Sequence, residues 1–260
     1  VTPTRLEISY SFFTMRAFRM LTGGPMTRRY VRMVTACLGL AAIAAAAQVQ
    51  AQDKGFTTLF NGKDLTGWVY GQRAGGAENK SGKGYQVENG VLFTTKDDGG
   101  NLFTEKEYSD FVFRFEFKLT PNANNGIGIR APLEGDAAYV GMEIQVLDDS
   151  GSEYTKLQPA QYHGSIYQMF PAKRGHQKPV GEWNSEEITV KGRQVTVKLN
   201  GVTITDGNLD TVKDEALLSK HRDMTKPEGA RGIANTKGHV GFLGHGAHVE
   251  FRNIRIKPLD

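Results

Sequence analysis

Thiol chemistry is nearly absent from this sequence: among 260 residues there is one cysteine, Cys37. It falls in a segment that reads as a leader, so the chain expected after processing has neither a disulfide nor a thiol nucleophile. A charge excess is missing as well. The formal charge is +4, but Arg5, Arg16, Arg19, Arg28, Arg29 and Arg32, opposed by Glu7 alone, precede residue 52 and leave 26 basic and 27 acidic residues beyond it. The resulting balance removes the electrostatic case for a nucleic-acid partner. No phosphate-cradling loop, dinucleotide fingerprint or Gly-x-Ser-x-Gly elbow is present. His221-Arg222-Asp223 has the order of a kinase catalytic loop without the glycine-rich loop or the Asp-Phe-Gly that a kinase needs. The apolar run from Val34 to Ala47 is too short and too alanine-rich for a membrane span.

That run has a different use. Met26 opens the basic stretch Met-Thr-Arg-Arg-Tyr-Val-Arg, the apolar run follows, and Val49-Gln50-Ala51 forms a small-residue boundary before Gln52. This is the anatomy of a secretory signal peptide. Residues 1 to 25 precede Met26, which reads as the initiator. A lipoprotein reading of Thr35-Ala36-Cys37 is the weaker alternative, because the apolar run follows the cysteine instead of preceding it. Residues 1–52 are therefore expected to be an upstream extension and signal, disordered or helical, meeting a membrane only before cleavage. Residues 53–260 are expected to be one domain, periplasmic or secreted.

Period-two patterns dominate that domain. Phe111 to Leu119 places four phenylalanines and a leucine on one face and Val112, Arg114, Glu116 and Lys118 on the other, the mark of a strand with one buried side. Ile188 to Leu199, broken at Lys191-Gly192-Arg193, reads as a hairpin. Asn89-Gly90 and Asn200-Gly201 are dipeptides suited to tight turns. Gly238 to Phe242 and Val249 to Ile256 close the chain as strands, and a short helix over Asp214 to His221 is expected within the polar loop from Asp210 to Lys237. Strands joined by Gly- and Asn-rich turns predict an all-β sandwich or jelly roll. In Gly141 to Asp149, Met142, Ile144 and Val146 share one face while Glu143, Gln145 and Leu147 share the other. That second face is either plain surface or the floor of a polar site.

Several stretches together resemble one family. Leu59-Phe60-Asn61-Gly62-Lys63-Asp64-Leu65-Thr66-Gly67-Trp68, Asn125-Gly126-Ile127-Gly128-Ile129-Arg130, Gly141 to Asp148, Gly181-Glu182-Trp183-Asn184, Leu199-Asn200-Gly201 and Val249 to Ile256 occur in the order found in the DUF1080 family. That family is also named the 3-keto-disaccharide hydrolase or 3-keto-glucoside 1,2-lyase/hydratase domain. The resemblance implies a concanavalin A-like jelly roll, export, and action on glycosides already oxidised at C3. Members often carry Gln-Asp-His-Gly near the end, where this chain has Leu243-Gly244-His245-Gly246.

A C3 ketone makes the C2 proton acidic, and its removal gives an enolate that expels the C1 substituent; water then adds to the enone. Such a site needs a base over C2, a donor or cation for the enolate oxygen, and an acid for the leaving oxygen. Glu143, which matches the family motif, is the candidate base, with a solvated structural carboxylate as its plain alternative. Arg130 is the candidate for the enolate oxygen, or else a salt-bridge partner of Glu143 within the sheet. His163 and His245, each beside a glycine, are candidate proton carriers. Gln145, Asp148 and Trp183 are candidate sugar contacts, although Asp148-Asp149-Ser150-Gly151 is also a turn signal and Trp183 could simply anchor its strand. His239, His245 and His248 fit no strong metal pattern. No cofactor is called for, and a divalent cation on the keto sugar and Glu143 stays open. Two alternatives remain: a lectin-like carbohydrate-binding module on the same fold, and an ordinary glycosidase with a second carboxylate near Glu143.

Overall fold

The computed structural model describes residues 54–72, 84–95, 100–223 and 232–259. The expected leader, residues 1 to 52, lies outside them. In chain order the described elements begin β1 (Thr57–Thr58), β2 (Trp68–Gly71), β3 (Tyr85–Glu88), β4 (Val91–Thr94), β5 (Gly100–Thr104), β6 (Phe111–Leu119) and β7 (Asn124–Ala131). They continue with α1 (Ala137–Val140), β8 (Met142–Leu147), β9 (Asn184–Lys191), β10 (Gln194–Leu199), β11 (Val202–Asn208), α2 (Glu215–Asp223), β12 (His239–Gly244) and β13 (Val249–Pro258). One antiparallel sheet runs β11-β10-β9-β6-β13-β4-β3, with β1 also on β13, and the other runs β2-β5-β12-β7-β8. The expected jelly-roll sandwich is the fold the chain adopts.

The alternation in β6 explains how the sheets stack. Phe111, Phe113, Phe115 and Phe117 are all buried, each contributing about 1.5–3 kcal/mol by leaving water. Phe242 of β12 meets them from the other sheet, 6.2 Å from Phe113, 6.1 Å from Phe115 and 4.2 Å from Phe251 between ring centroids. Trp68 stacks on Phe242 at 5.6 Å and donates its indole N–H to Leu59 O. The opposite face of β6 is half-buried and laddered with ion pairs, Arg114–Glu187, Glu116–Arg252 and Lys118–Glu250. At Asn89-Gly90 and Asn200-Gly201 both residues have positive φ (51° and 78°, 50° and 85°), the conformation that lets a two-residue turn follow strand twist.

Two connections prepare the outer face of the five-stranded sheet. After β7 the chain folds back over that face as α1, whose N-cap Asp136 accepts from Ala138 N. Ala137 packs there against Phe103, Ala131 and Leu243, and the turn is tied to the end of β2 by Gln72 N to Leu133 O (2.7 Å) and Gly135 N to Gln72 O (2.8 Å). Further on, residues 164–167 run antiparallel along β8, with Gly164 N donating to Gln145 O, Gln145 N to Ser165 O and Tyr167 N to Glu143 O. The short helix expected near Asp214 is α2, which turns His221 inward against Tyr139.

Candidate functional site

Between β8, β12, α1 and the 164–167 segment lies a cavity of about 140 Å³, far more than the roughly 10–15 Å³ that holds one water. The strands deliver its polar floor by simple alternation. Met142, Ile144 and Val146 enter the core between the sheets, so Glu143 and Gln145 project the other way, into the cavity. They are only 5% and 6% exposed. The polar face of this strand is thus the floor of a site and not plain surface.

Glu143 sits there by virtue of a glycine. Gly126 pairs with Gln145 and Gly128 with Glu143 across β7 and β8, and a Cβ on Gly126 would clash with Glu143 Oε1. That oxygen is buried without a hydrogen-bond partner among the described residues. His245, just beyond β12, brings Nε2 to 3.6 Å from it, and the imidazole is 30% exposed. Two more oxygens in the cavity wall, Gln145 Oε1 and Asn124 Oδ1, also lack described partners. An unpaired buried acceptor costs about 1–3 kcal/mol, and three around one cavity suit a ligand rich in hydroxyl donors. Asn101, Tyr139 and Tyr167 complete the polar lining. Burial raises the Tyr139 phenol above its ordinary pKa, with Tyr167, Asp136 and Glu143 adding in the same direction and a Gln168 hydrogen bond opposing. Asp136, the other carboxylate at the rim, is engaged as the α1 cap.

Of the candidates named from the sequence, the structure brings Glu143, Gln145 and His245 together at this cavity and none of the others. Arg130 is corrected. It is 2% exposed, and its guanidinium binds Asp110 Oδ1 at 2.7 Å, Ser109 O at 2.8 Å, Gly192 O at 2.9 Å and Asn235 O at 3.3 Å. Neither the cavity nor Glu143 is among its partners. Its backbone φ of 48° coincides with a register break between β12 and β7, so the alternation that would have aligned Arg130 with Gly126 and Gly128 ends before reaching it.

His163 is corrected as well: its ring lies inside the sandwich, 5.0 Å from Phe117. Nδ1 accepts from Leu147 N, and Nε2 stands 3.2 Å from Glu186 Oε2, both side chains being buried. Asp148 serves its turn, accepting from Asn122 N, Ser150 N and Ser150 Oγ. Trp183 lies under Arg252 (3.9 Å) and Lys118 (5.1 Å) on the outer side of the eight-stranded sheet. Among the described residues no cluster of three His, Cys, Asp or Glu side chains forms a metal site.

Sequence reasoning missed Tyr139, Tyr167, Asn101 and Asn124 in the cavity and Glu186 in the core. Only Glu186 had a signal, since alternation aligns it with Ile188 and Val190.

Comparison with known proteins follows the same lines. Residues 55–257 match the family described as the 3-keto-alpha-glucoside-1,2-lyase-like domain. The 3-keto-disaccharide hydrolase of Bacteroides thetaiotaomicron is 30% identical over 241 residues, spanning 82% of this chain and 81% of that protein. Two crystal structures of presumed glycosyl hydrolases from Parabacteroides distasonis superpose with a TM-score of 0.62 each. One is 31% identical and covers 81% of this chain and 97% of its own, the other 25% identical with 78% and 99%.

Proposed function

This chain belongs to the 3-keto-alpha-glucoside-1,2-lyase-like family, and on that premise we propose that it is a glycoside-processing enzyme that cleaves 3-keto-glucosides by elimination and hydration. The observation that supports this reading best is the unpartnered Glu143 Oε1 in a cavity, with His245 Nε2 3.6 Å away. A carboxylate so placed can take the C2 proton of a sugar bearing a C3 ketone. The C–H pair moves into the enolate. As the carbonyl re-forms, the C1–O bond breaks to give the enone, and His245 protonates the departing oxygen. Water then adds at C1 while a proton returns to C2, leaving the free 3-keto sugar. Gln145 and Asn124 supply acceptors for the remaining hydroxyls. The leader expected in residues 1–52 goes with this proposal as an export signal to the periplasm or exterior.

The lectin-like alternative is less well supported, because Trp183, its candidate stacking platform, does not line the cavity and is covered by Arg252. An ordinary glycosidase would have to use Asp136, already the cap of α1. Assay of the purified protein on a 3-keto-glucoside and on its unoxidised parent in deuterium oxide separates the readings. The expected outcome is cleavage of the keto sugar alone, with deuterium at C2 of the product. Cleavage of the parent, or product without C2 label, would sink the elimination mechanism. Glu143→Gln, which keeps shape but not the base, should lower kcat about 10²- to 10⁴-fold with binding retained.

A further inference from the structure

An enolate oxygen needs a partner, and with Arg130 bound elsewhere the described cavity lining contains no lysine or arginine. Its acceptors are plentiful and its free donors few. We propose that the Tyr167 hydroxyl is the hydrogen-bond donor that stabilises the enolate oxygen at C3, a catalytic residue of the reaction proposed above, and that Gln161 is the residue that positions it. The inference rests on that functional reading.

Placement comes from the backbone. Ile166 bridges Ile144 antiparallel, and Tyr167 N donates to Glu143 O at 2.9 Å, which makes Tyr167 the direct cross-strand neighbour of Glu143. Residues so opposed point their side chains to the same face, about 4.5–5.5 Å apart at Cβ. The base and the phenol are thus carried side by side on a rigid ladder and line the same cavity.

The direction of the phenol proton follows from Gln161. Its Oε1 accepts from Gln158 N at 2.9 Å, which fixes the amide so that Nε2 faces Tyr167 and donates to the hydroxyl at 3.1 Å. A tyrosine hydroxyl has one proton to give and lone pairs with which to accept. Accepting from Gln161 leaves the proton unused there, and among the described residues no acceptor is assigned to it. The same Gln161 receives Gln145 Nε2 on its backbone oxygen at 3.3 Å, turning Gln145 Oε1 to the cavity. One glutamine therefore sets both an acceptor and a donor of the site. When Glu143 takes the C2 proton, negative charge develops on the C3 oxygen; the Tyr167 O–H meets it without changing owner, and the bond relaxes as the C1 substituent leaves and the ketone returns.

The test uses the full-length protein and an aryl 3-keto-glucoside, reading kcat, KM and thermal midpoint. Tyr167→Phe should lower kcat about 10²- to 10³-fold, the usual effect of losing one such donor, with KM within a few-fold and the midpoint little changed. Gln161→Met, which spares the phenol but frees it, should lower kcat about tenfold, the equivalent of one neutral hydrogen bond. Tyr139→Phe should lower kcat by less than Tyr167→Phe. Active wild type together with a Tyr167→Phe variant of near-normal kcat, or a larger loss from Tyr139→Phe, would overturn the assignment alone. Wild type that leaves the keto substrate intact would instead sink the functional reading, and this inference with it. Should Tyr167→Phe not fold, an unchanged kcat in Gln161→Met overturns the assignment and the tenfold loss supports it.

Discussion

The Glu143 carboxylate crowds the space that a side chain on Gly126 would need, since a Cβ built there clashes with Oε1 and with the carboxyl carbon behind it. Gly126→Ala should therefore push the carboxylate off its position while leaving the strand intact. A misplacement near 1 Å can cost about 10²-fold in rate, so kcat on a 3-keto-glucoside should fall by that order while circular dichroism stays unchanged. Normal turnover by the alanine variant would mean that Glu143 is not held where the chemistry needs it.

Arg130 predicts the opposite pattern. Removing it breaks the Asp110 ion pair and the hydrogen bonds to the Ser109, Gly192 and Asn235 carbonyls and empties the space of a side chain only 2% exposed, and hydrogen bonds to a charged group contribute about 1.5–3 kcal/mol each. Arg130→Ala should lower the urea midpoint clearly, with kcat per folded molecule preserved. A stable variant with a collapsed kcat would return Arg130 to the site.

His163 and Glu186 form a buried pair away from the cavity. Removing one side leaves the other polar group buried with nothing opposite it, at about 1–3 kcal/mol, whereas replacing both by apolar groups of like shape is often neutral or stabilising. Glu186→Leu alone should therefore destabilise more than the His163→Phe, Glu186→Leu double variant, as read by thermal midpoints. Additive losses would show that the two side chains are not coupled.

Burial pulls the His221 pKa below the ordinary value of 6.5, so the unfolded chain takes up a proton that the folded one refuses. Stability linked to His221 is then complete above about pH 6.5 and is lost as pH falls. His221→Gln should flatten the difference in urea midpoint between pH 8 and pH 5. An equally steep dependence in the variant would assign it to other groups.

How much of this was legible in sequence depends on how local each signal is. The phenylalanine stripe of β6 and the Asn-Gly turns are written within a few residues, and period two alone placed Glu143 and Gln145 opposite Met142 and Ile144. Arg130 was misread because a single residue at positive φ ends the alternation. His163 was misread because a glycine-flanked segment turned inward, and nothing local says which way such a segment faces. Tyr167 joins Glu143 through pairing between segments well separated in the chain, a register that one sequence does not display.

The backbone pairing of residues 164–167 with β8 has one more consequence. Met142 to Leu147 is a buried strand, apolar on one face, at the end of its sheet, and an uncovered edge of that kind invites pairing with a second chain. Here the Gln145 amide and carbonyl and the Glu143 carbonyl are already taken by Ser165, Gly164 and Tyr167. The stretch that carries the phenol into the cavity also guards the molecule against self-association, so loosening it would expose an aggregation-prone seam as well as disturb the chemistry.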